Sequence, residues 1–398
     1  MKAKDLVKSL RQLAGKALTL LNRMIPKRKD TILFVGNDGL TDNSRALYVY
    51  LTEHGYHKDY RILCAVKNHE SYEYLKREGT AFLSLKRGVF SYFRAGTVFY
   101  CNGTYPIKPA KSQTVVNLWH GTPLKRICKL APNVAHYDYD YFTYVLAASP
   151  MFVPIMARCF GVAESRVLLC GHARNDLLFR RTPGVPEKLS LQSGEKLLLW
   201  MPTFRTSFND YIRDGDCATR TGLPIFEDLE QMAAFDAWLG EHGMQMAVKL
   251  HPMQKLSDIA EFSFPHIRLL TNRDIEAQRL QLYELVAWAD ALVTDYSSIY
   301  FDYLLLDRPI GFTCDDLDAY GGSRGFVVDD PLSLMPGMKL RNYEDFLAFA
   351  EKAAAGDDGF GEERERVNGL VNEYRDGRNA ERLLKMLGLS RERTDEDA

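Results

Sequence analysis

The chain has 398 residues, enough for two ordinary domains, and its 46% hydrophobic and 26% charged composition is that of a soluble globular protein. A formal net charge of −1 gives no global reason to expect nucleic acid as a partner, and no apolar run reaches the roughly 20 residues that cross a bilayer. The seven cysteines form no C-x-x-C pair, which argues against a zinc site or redox motif and suits a reducing cytoplasm.

The near-neutral total hides an asymmetry. Residues 1–29 carry nine basic side chains against one acid, Asp5, so the rest of the chain is distinctly acidic. Leu6, Leu10, Leu13, Ala17, Leu20 and Met24 recur at alternating spacings of four and three, one apolar stripe on a helix that Pro26 ends. Lys8, Arg11 and Lys16 interrupt any signal-peptide core. A basic amphipathic helix of this kind reads as a membrane-surface anchor; a short coiled coil and a helix packed on its own domain are the competing readings.

From residue 31 apolar strands alternate with helices. Strands are expected at 31–35, 61–66, 97–100, 114–118, 143–148 and 166–170, with helices near 43–54 and 150–160. Pro- and Gly-bearing stretches at 181–186 and 192–195 then read as a linker. Strands follow at 196–201, 245–250, 267–270, 290–294 and 309–312, with helices near 226–241, 279–288 and 298–306. The chain ends in helices at about 343–354, 361–374 and 379–387. Alternating β and α elements imply largely parallel sheets, so the expected class is α/β with two domains and a cleft between them.

Short polar motifs fall where these strands end, the place where open α/β sheets bind ligands. Thr294-Asp-Tyr-Ser-Ser298 joins a strand to a helix, so Ser297 and Ser298 could add hydroxyls to free backbone N–H groups around a phosphate, or simply cap their own helix. In Lys249-Leu-His-Pro252, Pro252 holds His251 extended at the strand exit, able to stabilise phosphate charge or to make a structural hydrogen bond. Met201-Pro-Thr-Phe-Arg205 repeats the geometry with Thr203 and Arg205; the arginine suits a phosphate or an inter-domain ion pair. His120, after the run Val115–Trp119, is the best candidate general base, with a buried structural histidine as the alternative, and Lys125 nearby could attract an anionic acceptor. Neither a G-x-x-x-x-G-K-[ST] loop nor a G-x-G-x-x-G after the first strand occurs, which weighs against ATPase and NAD-dependent readings. Four D-x-D pairs show how cheaply that pattern arises, and no essential metal is expected.

Taken in order over about 31–385, these motifs resemble the CDP-glycerol glycerophosphotransferase family, the teichoic-acid primases and polymerases. The resemblance rests on His120-Gly-Thr-Pro-Leu-Lys125, Gly171-His-Ala-Arg174-Asn-Asp176, Pro202-Thr-Phe-Arg205, Lys249-Leu-His-Pro252, Asp295-Tyr-Ser-Ser298 and Tyr320-Gly-Gly-Ser-Arg324-Gly-Phe326. It implies a GT-B fold, two Rossmann-like domains facing a central cleft. The expected divisions are a basic helix at 1–29, an acceptor-side domain at 30–185, a nucleotide-donor domain at 186–390 and a charged tail at 391–398. It further implies His120 as the base on the acceptor hydroxyl and His251 as the group stabilising donor phosphates. Thr203, Arg205, Lys249, Asp295, Ser297, Ser298 and Arg324 would lie on the donor side, Lys125 on the acceptor side, with Gly171, Arg174 and Asp176 as a further motif.

The implied reaction moves glycerol phosphate from CDP-glycerol to a hydroxyl of a lipid-linked glycerol-phosphate or saccharide acceptor, releasing CMP, with no cofactor required. The implied setting is teichoic-acid-like or capsular polymer synthesis at the cytoplasmic face of the membrane, held there peripherally. Three alternatives share the phosphate sites: a CDP-ribitol transferase, a GT-B glycosyltransferase using a nucleotide sugar, and a membrane-docked nucleotide-binding module without turnover.

Overall fold

A computed structural model describes residues 15–202, 219–252, 254–255, 257, 259–313, 325–389 and 391. They form two compact units, each built on a parallel sheet. The first sheet holds β1 (Arg28–Gly36), β2 (Arg61–Val66), β3 (Thr80–Leu83), β4 (Ala95–Tyr100), β5 (Thr114–Asn117), β6 (Tyr144–Ala147) and β7 (Val167–Leu169), in the order β3-β2-β1-β4-β5-β6-β7. The second holds β8 (Lys196–Met201), β9 (Met244–Lys249), β10 (Ile267–Leu270), β11 (Ala291–Thr294), β12 (Ile310–Thr313) and β13 (Met338–Leu340), ordered β10-β9-β8-β11-β12-β13. Helices cover both faces of such sheets, so their strands are apolar without alternation. Ile32, Leu33 and Phe34 of β1 and Leu198, Leu199 and Trp200 of β8 are all fully buried. This is the expected α/β class with two Rossmann-like units.

The elements not anticipated are short. β3 and β13 have four and three residues, too few to display a period. Of the helix expected at 279–288 only Leu282–Val286 is helical; Asn272–Ala277 before it was not anticipated, and Arg279 between the two sits at φ +61, a left-handed conformation no helix continues through.

The units do not divide the chain linearly. The first comprises the described residues of 1–120, 128–176 and 378–398; the second takes 121–127 and 177–377. The C-terminal helix Asn379–Met386 returns to the first unit because Asp176 receives it: the Asp176 carboxylate accepts the backbone N–H groups of Asn379 and Ala380, both at 2.8 Å. Gly171 makes room for it. A Cβ there would lie 2.4 Å from the Asn379 side-chain oxygen, and its φ of +76 disfavours any other residue. Asp176→Ala leaves two buried helix N–H groups unpaired and is expected to cost about 2–3 kcal/mol. Chemical denaturation reads this, and an unchanged midpoint refutes the cap.

Residues 15–24 are helical. This helix meets its unit through polar side chains: Asn22, fully buried, donates to the Lys108 carbonyl at 3.1 Å and to Gln113 Oε1 at 2.8 Å, and the Lys108 N–H donates to Thr19 Oγ1 at 3.1 Å. Of the apolar stripe, Leu20 is 61% and Met24 74% exposed, and neighbouring Leu21 is also exposed. The packing expected of a helix that buries its apolar stripe on its own domain is therefore reversed over these residues. Leu6, Leu10 and Leu13 lie outside the described residues.

In the second unit Trp200, Phe226, Phe235 and Phe346 pack ring against ring at 5.1–5.6 Å. Such pairs each add about 0.5–1.5 kcal/mol beyond area burial. Through Trp200 they seat β8, the central strand.

Candidate functional site

In a doubly wound sheet, the crevice opens where the strand order reverses, beyond the carboxyl ends. In the second unit that point lies between β8 and β11. The register sets Trp200 beside Val248 and Met201 beside Thr294, so β8, β9 and β11 end at one level. Three of the sequence motifs leave the sheet there: Met201-Pro202, Lys249-Leu-His251 and Asp295–Ser298.

Lys249 closes β9 with 3% of its surface exposed, and its Nζ donates to the Leu250 carbonyl at 2.7 Å. Burial pulls its pKa down from 10.5 to about 8, against the opposing fields of Glu276 and Asp274. The side chain thus holds the turn that carries His251, which is half-buried, with its carbonyl accepting the Gln254 N–H at 3.0 Å. At β11, Thr294 Oγ1 ties back to the Met201 carbonyl at 2.9 Å. Asp295 is fully buried and its carboxylate accepts the Ser297 N–H at 3.1 Å, shaping the turn.

Ser297 and Ser298 are half-buried. Ser298 occupies the N-cap of the short helix Ile299–Tyr303, yet its hydroxyl makes no cap bond to that helix. The simple capping role, open from sequence, is not the one seen. The short helix is instead held from behind: Tyr283 donates to the Asp302 carboxylate, and Asn372 donates to the Phe301 carbonyl at 2.7 Å.

Lys125 joins this unit. Its segment forms an antiparallel bridge with Phe326, with Val327 N–H to Leu124 O at 2.9 Å and Arg126 N–H to Gly325 O at 3.0 Å. The Phe326 ring lies 5.7 Å from that of Tyr296 in the β11 turn. Lys125 lies within the 30–185 range expected for the first domain, yet its segment groups with the second unit, since backbone pairing across some 200 residues outweighs proximity along the chain. Thr203, Arg205 and Arg324 lie outside the described residues.

His120 belongs to the first unit, at the exit of β5. Trp119 before it has φ +51, and its ring stacks on the imidazole at 4.1 Å. Gly121 after it has φ +120, a region in which only glycine is at ease. Solvent reaches the ring, but protein crowds its other sides, and that desolvation pulls its pKa below 6.5. The Asp42 carboxylate opposes the shift and the Arg174 guanidinium adds to it.

Arg174, only 6% exposed, donates from Nη1 to both Asp42 carboxylate oxygens at 2.8 Å each. The Gly171–Asp176 motif therefore splits into two tasks. Arg174 reaches the surroundings of His120, while Gly171 and Asp176 receive the C-terminal helix. Asp42 and Asn43 were missed from sequence, although Thr41-Asp-Asn-Ser44 is a polar run between an apolar strand and a helix, the same signal that marked the other motifs. Among the described residues, no group of three His, Cys, Asp or Glu is placed to hold a metal ion.

The family described as CDP-Glycerol:Poly(glycerophosphate) glycerophosphotransferase matches residues 17–388. The chain is 28% identical over 326 residues to the teichoic acid glycerol-phosphate transferase of Staphylococcus aureus, covering 76% of this chain and 78% of that one. It is 25% identical over 408 residues to the teichoic acid ribitol-phosphate primase of Bacillus spizizenii, with 94% of each covered. In fold it is similar to the wall teichoic acid polymerase TagF, with a TM-score of 0.75 at 19% identity over 98% of both chains, which places the two Rossmann-like units in the GT-B type. The family match runs through both sheets and every motif above, and the chain is a transferase belonging to the CDP-glycerol:poly(glycerophosphate) glycerophosphotransferase family.

Proposed function

We propose that the protein transfers glycerol phosphate from CDP-glycerol to a hydroxyl of a lipid-linked glycerol-phosphate or saccharide acceptor, releasing CMP, in the synthesis of a teichoic-acid-like or capsular polymer. The observation that carries this reading is the convergence of Lys249-Leu-His251 and Asp295–Ser298 on the two sides of the central strand, at the reversal of strand order. Backbone N–H groups, two serine hydroxyls and an imidazole at one level suit a diphosphate.

The acceptor oxygen attacks the glycerol-bearing phosphorus and the bond to the CMP oxygen breaks. His120 takes the hydroxyl proton, and His251 with Ser297 and Ser298 meets the charge left on the departing phosphate. A phosphate monoester leaves readily, so positioning, one proton transfer and charge stabilisation suffice. Thr203, Arg205 and Arg324 are assigned to the donor side on family resemblance, and Lys125, paired to the Phe326 segment, is assigned to the incoming anionic acceptor.

The deciding experiment is CMP release by purified protein from CDP-glycerol, with a short lipid-linked acceptor and with CDP-ribitol and UDP-sugars alongside. Acceptor-dependent CMP from CDP-glycerol supports the reading. Turnover with CDP-ribitol alone replaces the polyol, the second reading, which similarity to a ribitol-phosphate primase favours. Release from UDP-sugars alone makes the protein a glycosyltransferase, and tight donor binding without turnover makes it a binding module.

We place the enzyme on the cytoplasmic face of the membrane through residues 1–29. No helix among the described residues is long and apolar enough to cross a bilayer, and the exposed Leu20, Leu21 and Met24 beside Lys16 and Arg23 suit an anionic surface. Replacing Leu20, Leu21 and Met24 together by Ser is expected to weaken co-sedimentation with phosphatidylglycerol vesicles by on the order of tenfold or more. Undiminished binding, or equal binding to phosphatidylcholine, would refute the anchor.

A further inference from the structure

Asn43 lies in no motif, is fully buried, and its side chain spans two segments far apart in sequence. Its Nδ2 donates to the Trp119 carbonyl at 2.8 Å and, at 3.4 Å, to that of Leu118; its Oδ1 accepts the Arg174 backbone N–H at 3.0 Å. Its own N–H donates to the Asp42 carboxylate at 2.8 Å, the group that Arg174 Nη1 grips. Asp42 itself has φ +55, and so does Trp119 enter the left-handed region at φ +51. Two turns, one after β1 and one at the exit of β5, are thus held in uncommon conformations by one amide and one ion pair. The Trp119 carbonyl is the last backbone acceptor before the imidazole, and the Cys101 thiol also donates to it, at 2.9 Å.

We propose that Asn43, backed by the Asp42–Arg174 pair, is the positioning residue for His120. It fixes the carbonyl immediately preceding the imidazole, and with it where the ring stands on Trp119. The same amide couples that turn to Arg174, so the β1 exit, the β5 exit and the Gly171–Asp176 segment hold one geometry. Among the described residues, the charged groups whose fields reach the ring are Asp42 and Arg174. The inference deepens the reading of His120 as the acceptor-side base and rests on it.

The test uses the full chain with ¹³Cε1-labelled histidines, the His120 resonance being identified by its loss in His120→Gln. Asn43→Ala is expected to shift that resonance and its titration midpoint. It should also lower kcat for CMP release on the order of 10–100-fold, with KM for CDP-glycerol little changed, as for a misplaced catalytic group. Asp42→Asn keeps one acceptor oxygen but removes the charge and sets an amide N–H against Arg174, so the His120 midpoint should fall and its resonance move, and kcat with them; a His120 resonance unmoved in this variant counts against the proposal if Asn43→Ala does not fold. A folded Asn43→Ala with lower thermal stability but wild-type His120 resonance, midpoint and kcat would overturn the proposal, because a merely structural amide predicts that result. Wild-type turnover in His120→Gln would sink the parent reading alone, while the His120 resonance in the Asn43 variant still decides whether the ring is positioned.

Discussion

His120→Ala is expected to lower kcat for acceptor-dependent CMP release by on the order of 10²–10⁴-fold, the usual worth of a general base. The residual rate would come from donor and acceptor held together, which the substitution leaves intact. The pH profile gives the sharper form of the expectation. A general base acts while neutral, and crowding holds the His120 pKa below 6.5, with Arg174 helping and Asp42 opposing. The acid limb of kcat/KM should therefore have its midpoint below 6.5, leaving the rate flat through neutral pH. Removing the Arg174 charge with Arg174→Gln should move that limb upward. Measuring kcat/KM from pH 5 to 8 in wild type, Arg174→Gln and His120→Ala checks both points. Near-wild-type turnover without the imidazole would remove His120 from the chemistry.

The strand-exit motifs were legible because parallel strands buried on both faces are written as unbroken apolar runs, so a sudden His, Lys or Ser stands out at each end. That is how His120, Lys249, His251 and Asp295 could be placed at strand exits. Two kinds of information were not legible. Pairings between distant segments leave no local pattern, so neither the Lys125 bridge to Phe326 nor the Asp176 cap on Asn379 could be read from spacing. Asp42 and Asn43 were obscured differently: a polar pair at a helix start looks like an ordinary cap, and only the structure shows Asn43 reaching Trp119 and Arg174. The N-terminal stripe shows a third limit. Periodicity identified which side of the helix is apolar, whereas which side is buried depended on Asn22, a polar residue meeting Lys108 and Gln113.

Lys249→Met is expected to make the protein more stable and the enzyme worse. An ammonium only 3% exposed, whose pKa falls from 10.5 to about 8, is carried at a cost to folding. Linkage fixes the pH window. Below about pH 8 both folded and unfolded chains are protonated there and the penalty is complete; between 8 and 10.5 the unfolded chain binds the extra proton, so stability rises with pH until the penalty is gone. A thioether of similar length carries no such penalty but loses the bond to the Leu250 carbonyl. The net gain at pH 7 should be about 2 kcal/mol, shrinking as the pH is raised toward 10.5. Turnover should fall on the order of tenfold or more, because the Leu250 carbonyl is what Lys249 uses to hold the turn carrying His251. Urea denaturation at pH 7 and 9.5, beside CMP release at pH 7, separates the two effects. A variant that is both less stable and fully active would show Lys249 to be a purely structural cation. Gain of stability with loss of activity is the signature of a buried charge retained for function.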